Sequence, residues 1–106
     1  MHTGVDLRAD FDTVYAVTNS HISSIGYNPP LGLFIKITNG PLSVTYGHLS
    51  QCFVSNGDSV LAAAPLGISG STGHVTGPHL HFAVQFNKSY IDPLAFLSAA
   101  ARIINQ

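Results

Sequence analysis

Residues 77 to 86 form the segment Gly77-Pro78-His79-Leu80-His81-Phe82-Ala83-Val84-Gln85-Phe86. Pro78 cannot donate to a sheet ladder and suits the first position of a strand, while Gly77 allows a tight loop before it. Successive side chains of a strand point to opposite faces, so His79 and His81 share one face and Leu80 faces a core. Two imidazoles on one face can converge on a single site, and ordinary surface histidines are the alternative interpretation.

Length and composition limit the kind of protein that this is. The 106 residues suffice for one domain with a hydrophobic core, and we treat residues 1–106 as that single domain. Apolar residues make up 45% of the chain and charged residues 8%, which excludes disorder and favours a body rich in β-sheet. Four basic residues against five acidic ones give no electrostatic basis for binding nucleic acid or an anionic membrane.

Three further features are not expected. No apolar run is long enough to span a bilayer, so no membrane span is predicted. The first four residues lack the basic and apolar regions of a signal peptide. The single cysteine, Cys52, cannot form an internal disulfide, and we interpret it as a small core residue.

The rest of the chain predicts an antiparallel β-domain with one short C-terminal helix. Asn39-Gly40 is a hairpin signal between two strand-like segments, and Asn56-Gly57 marks a second turn. Asp92 followed by Pro93 is a typical helix start, and apolar residues continue a helical pattern to residue 103. Strands are predicted over residues 13–17, 21–26, 33–38, 42–49, 65–70 and 79–86.

Histidines and an aspartate suggest a zinc site. His2 and Asp6 lie on one short segment and offer the nitrogen and oxygen ligands that zinc accepts. One of His79 and His81 would complete a catalytic set of three ligands, leaving a fourth position for water. The other histidine, together with His48, could then serve as general base or stabilise an oxyanion.

An ordered series of motifs resembles the lysostaphin/LytM-type zinc metallopeptidases, which cut peptide bonds in bacterial peptidoglycan. The series spans most of the chain in the family's order. It comprises His2-Thr3-Gly4-Val5-Asp6-Leu7, Val14-Tyr15-Ala16, Tyr46-Gly47-His48-Leu49-Ser50, Val54 through Gly57-Asp58-Ser59-Val60, Ile68 through Thr72-Gly73, Thr76-Gly77-Pro78-His79-Leu80-His81-Phe82 and Asp92-Pro93.

The resemblance implies a fold and a role for each matching residue. The fold would be mainly β, a compact antiparallel β-sheet or sandwich of the LytM (duplicated hybrid motif) type. His2, Asp6 and His81 would be the zinc ligands. His48 and His79 would be the catalytic pair that handles the attacking water and stabilises the tetrahedral intermediate.

Function and location follow from the same resemblance. The expected activity is zinc-dependent endopeptidase cleavage of a peptidoglycan stem peptide or cross-bridge by metal-activated water. The alternative is a non-catalytic domain of the same fold that binds cell-wall components or regulates other hydrolases. Such a protein would act at the bacterial cell envelope, in the periplasm or after secretion. His2 lies next to the chain start, so a truncated and a minimal domain are both open, as are the bond cleaved and the oligomeric state.

Overall fold

The computed structural model describes residues 4–73 and 77–96. Their regular structure is almost entirely β, and every strand pairing within these residues is antiparallel. The strands are β1 Val5–Arg8, β2 Thr13–Tyr15, β3 Ser20–Asn28, β4 Gly32–Asn39, β5 Leu42–Cys52, β6 Ser59–Val60, β7 Pro65–Ser69, β8 His79–Phe86 and β9 Ser89–Ile91.

Strand β8 lies inside the sheet. The main strand order is β1-β8-β5-β4-β3-β6, with β7 pairing with β5 and β2, and β9 pairing with β8. On one side of β8, Asp6 is opposite His81, and on the other side Gly47 is opposite the same histidine. The register therefore brings the first motif, the Gly47-His48 segment and His81 side by side, although they are far apart in sequence.

The opposite face of the sheet carries the hydrophobic core. Alternating residues of β4, β5 and β8 are buried there, and the rings of Tyr46 and Phe82 meet edge to face with centroids 5.6 Å apart. Leu80 packs against this core, as the strand alternation predicted. Burial of one face leaves the other, which holds His81, free for a polar site.

A bulge interrupts the pairing of β4 with β5. Leu33 pairs with Leu49 and Ile35 with Tyr46, so β5 contributes one more residue than β4 over this interval. His48 lies in the bulge with a φ of 61°, a left-handed conformation that is rare outside glycine, and its N–H donates to the Leu31 carbonyl at 2.6 Å.

The predicted fold class is confirmed, with differences in the short elements. Strands β1, β6 and β9 were not predicted as strands, because two to four residues are too few to show a periodic pattern. The predicted helix begins at residue 93, and Asp92 accepts the N–H of Leu94 at 3.0 Å in the expected capping contact. Its continuation from 97 to 103 lies outside the described residues. The described residues include no helix long and apolar enough to cross a membrane.

Candidate active site

Asp6 and His81 form the open side of the site. They are cross-strand partners on β1 and β8, and Nδ1 of His81 lies 2.9 Å from Oδ1 of Asp6. The Asp6 side chain is 52% exposed, whereas that of His81 is 22% exposed. A carboxylate and an imidazole therefore meet where solvent or a ligand can reach them.

His48 forms the buried side of the site. Its Nδ1 lies 2.8 Å from the carbonyl oxygen of Thr72, and because a carbonyl only accepts, Nδ1 carries the proton. In the neutral ring Nε2 then bears a lone pair, and this atom lies 3.4 Å from Oδ1 of Asp6. A lone pair facing a carboxylate oxygen is repulsive unless a proton or a cation lies between them.

His79 is held in a similar way. Its Nδ1 donates to the carbonyl of Gly77 at 2.9 Å, and its backbone N–H donates to the carbonyl of Gly70 at 2.9 Å. The free ring nitrogen of neutral His79 is again Nε2. His79 shares a strand face with His81 and lies opposite Arg8 on β1.

Three of these side chains could hold one metal ion. One donor atom from each of Asp6, His48 and His81 lies within 4.8 Å of the other two. Oδ1 of Asp6 lies 2.9 Å from Nδ1 of His81 and 3.4 Å from Nε2 of His48, close to the separation of about 3.3 Å between two ligands of a tetrahedral zinc ion, and nitrogen and oxygen are donors that zinc accepts. The donor set therefore fits zinc.

The structure brings together part of the predicted site. Asp6, His48 and His81 converge, and His79 lies on the same strand face without joining the group of three. His2, predicted to be a ligand, lies outside the described residues, as does His74. His21 is exposed, and its Nδ1 lies 3.0 Å from the Ser59 hydroxyl.

Sequence reasoning missed the backbone groups that hold the histidines. The carbonyls of Leu31, Thr72 and Gly77 each accept a bond from His48 or His79. A carbonyl has no sequence signature of its own. The small residues Ser71-Thr72-Gly73 and the glycine at position 77 gave the only signals, since they favour turns close to the site.

A fold and a site of this kind have known counterparts. A sequence profile of Peptidase family M23 matches residues 1–93. The chain belongs to peptidase family M23.

Several relatives are peptidases that act on peptidoglycan. Lysostaphin of Staphylococcus simulans is 37% identical over 110 residues, covering 94% of this chain and 22% of its own length. Peptidoglycan DD-endopeptidase ShyA of Vibrio cholerae is 36% identical over 83 residues, covering 76% of this chain and 19% of its own length. The chain thus spans about a quarter or less of these curated relatives.

Solved structures show the same fold. The catalytic domain of the antimicrobial peptidase lysostaphin from Staphylococcus simulans superposes with a TM-score of 0.85 at 36% identity. The match covers 92% of this chain and 80% of that domain. A zinc-containing peptidase from Vibrio cholerae gives a TM-score of 0.84 at 28% identity, covering 88% of this chain and 29% of that one.

Proposed function

We propose that this chain is a zinc-dependent metalloendopeptidase domain that hydrolyses peptide bonds of bacterial peptidoglycan and acts at the cell envelope. The convergence of Asp6, His48 and His81 on the open face of the sheet is the observation that carries the proposal. Membership of family M23 and relatives named as peptidoglycan endopeptidases support the choice of substrate.

Zinc would be held by His2, Asp6 and His81. Asp6 and His81 are the exposed pair with their donor atoms 2.9 Å apart, so both are accessible to an ion and to solvent. When bound, zinc lowers the pKa of a coordinated water and polarises a carbonyl group. The protein supplies two imidazoles, those of His48 and His79, whose ring orientations are fixed by hydrogen bonds to backbone carbonyls.

His48 and His79 would carry protons during hydrolysis. In both rings Nδ1 donates to a backbone carbonyl, which leaves Nε2 as the atom able to take a proton from water or to donate one. His48 is almost completely buried, and the edge of its ring approaches that of His81 with centroids 5.8 Å apart. A fixed imidazole costs less reorganisation in the transition state than a mobile one.

Zinc content tests the ligand assignment. We expect one zinc per chain in the wild-type protein and none in His81→Ala, because the substitution removes a ligand of the ion. His21→Ala is the matched control, since it removes an exposed histidine that bonds Ser59 rather than the site. Normal zinc retention by His81→Ala would contradict the assignment.

Digestion of peptidoglycan tests the activity. One relative is named a peptidoglycan DD-endopeptidase and another a glycyl-glycine endopeptidase. Two purified substrates distinguish these activities: sacculi with direct peptide cross-links, and sacculi with glycine cross-bridges. Zinc-dependent release of peptides from either material supports the proposal. Zinc-loaded protein that binds sacculi without releasing peptides would instead favour a non-catalytic cell-wall-binding domain.

A further inference from the structure

The Thr72 hydroxyl bridges two strands beside the bulge that presents His48. Its Oγ1 accepts the N–H of Leu33 on β4 at 3.1 Å and donates to the carbonyl of Leu49 on β5 at 2.7 Å. Leu33 and Leu49 are the cross-strand pair at the bulged interval. Both hydrogen-bonding functions of one hydroxyl are thus used to join the strands where their register changes.

The main chain of the same residue holds the His48 ring. The Thr72 carbonyl accepts the Nδ1 proton of His48 at 2.8 Å, which fixes the tautomer and the ring orientation together. The side chain of Thr72 therefore fixes the bulge, and its backbone fixes the imidazole that projects from that bulge. These contacts link positions separated by 23 to 39 residues in sequence.

Close backbone contact leaves this arrangement little freedom. A Cβ added to Gly32 would lie 2.4 Å from Oγ1 of Thr72, and one added to Gly73 would lie 2.5 Å from the backbone nitrogen of Gly32. Residues 72–73 thus pack directly against the Leu31-Gly32 turn, whose Leu31 carbonyl accepts the backbone N–H of His48. A shift of Thr72 would move the acceptors of both the ring and the backbone of His48.

We propose that Thr72 is a positioning residue for His48, acting through its hydroxyl on the bulge and through its carbonyl on the imidazole. The effect on hydrolysis rests on the proposed function, whereas the effect on the His48 tautomer does not. The competing explanation is that the hydroxyl only stabilises the fold. If Thr72 positions His48, the tautomer of the His48 ring depends on the Thr72 hydroxyl. If the hydroxyl only stabilises the fold, the tautomer does not depend on it.

Nitrogen NMR of the metal-free protein tests the structural part. The variants are Thr72→Val, which keeps the branched shape without the hydroxyl, and Thr72→Ser, which keeps the hydroxyl. In a mildly alkaline buffer, the nitrogen shifts of a neutral imidazole show which of its two ring nitrogens carries the proton. We expect the Nδ1–H tautomer for His48 in wild type and Thr72→Ser, and a mixture of tautomers in Thr72→Val. An unchanged His48 tautomer in Thr72→Val would overturn the proposal.

Kinetics of the zinc-loaded protein test the functional part. On a soluble cross-linked peptide that the wild type cleaves, we expect Thr72→Val to lower kcat by at least about tenfold and to change KM by less than about twofold. Zinc content should stay equal to wild type, and Thr72→Ser should restore kcat. Ile37→Val, a buried change on β4 away from the bulge, controls for lost stability.

The two experiments distinguish a failure of the positioning role of Thr72 from a failure of the proposed function. If kcat of Thr72→Val falls only in proportion to the loss of folded protein, as expected for Ile37→Val, Thr72 is not a positioning residue for His48. If the wild type hydrolyses nothing, the proposed function fails, and the His48 tautomer still decides whether Thr72 holds the ring.

Discussion

His48 shows how one residue can be strained and well fixed at once. A non-glycine residue in the left-handed region costs about 1–3 kcal/mol, which the surrounding structure must offset. Here the backbone N–H and ring Nδ1 of His48 each bond a carbonyl, and the side chain is almost fully buried. The strain places an imidazole beside Asp6 that a regular strand would direct elsewhere, because the bulge changes the alternation of β5.

Replacement of His48 should separate chemistry from metal binding. We expect His48→Ala to retain zinc and to lose about 10²–10⁴-fold in kcat, because general acid–base assistance is typically of that size. His48→Asn is the companion variant, since asparagine tolerates a positive φ better than alanine and so preserves the bulge. Zinc content and peptide release are measured on both. Near-wild-type turnover would exclude a catalytic role, and loss of zinc from both would make His48 a ligand.

At the scale of elements, the site depends on the turn between β3 and β4. The Asn28 side chain accepts the N–H of Leu31 at 2.8 Å, and Gly32 follows with a φ of 63°. This turn supplies the Leu31 carbonyl to His48 and packs against Gly73, the residue after Thr72. The loop before β8 and the turn before β4 therefore support the bulge jointly.

Gly32→Ala tests the contact between these two segments. Gly40, in the turn between β4 and β5, has a similar φ of 57° but open space around an added Cβ, whereas at Gly32 the Cβ would overlap Thr72. Gly40→Ala should cost about 1–2 kcal/mol from the left-handed backbone alone. Gly32→Ala should cost at least about 1 kcal/mol more, because overpacking adds to that strain. Urea unfolding measures both, and equal losses would mean that the two segments separate easily.

At the scale of the whole molecule, local patterns predicted the strands and the order of motifs well. The alternation in residues 79–86 predicted which side of β8 faces the core, and burial of Phe82 and Val84 confirms it. The hairpin signal at Asn39-Gly40 predicted the pairing of β4 with β5, which the register confirms. Both features depend on neighbours in sequence, so periodicity and turn chemistry contain the information.

Long-range geometry could not be predicted in the same way. The bulge at His48 arises from the register between β4 and β5, and the acceptor of its ring proton lies 24 residues further along the chain. Neither has a local pattern. The motif resemblance indicated that His48 is functional, but only the tertiary structure gives the contacts that orient it. The roles assigned to His2, Asp6, His48, His79 and His81 stay predictions until metal content and kinetics are measured.

Among the residues that the structure describes, the core beneath the site contains one ionisable hydroxyl, and it links global stability to alkaline pH. Tyr46 is 1% exposed, and its hydroxyl accepts the N–H of Val17 at 3.2 Å. Burial raises the pKa of Tyr46 well above its ordinary value, and the bond from Val17 opposes this only in part. Below about pH 10 the folded and unfolded states both keep the proton, so the full stability is present.

Above about pH 10 the unfolded chain releases the Tyr46 proton while the folded chain retains it, so stability must fall as pH rises. We expect this residue to contribute a slope of up to about 1.4 kcal/mol per pH unit, measured by urea unfolding with circular dichroism from pH 8 to 12.

Tyr46→Phe should lose that slope, although at neutral pH it leaves the Val17 N–H without its acceptor and costs about 0.5–1.5 kcal/mol. Tyr27→Phe, on the surface, should keep the slope. Burial also raises the pKa of Cys52. Because both variants retain that thiol, the difference between their slopes of unfolding free energy against pH is the contribution of Tyr46. Equal slopes in the two variants would show that Tyr46 ionises without loss of the core.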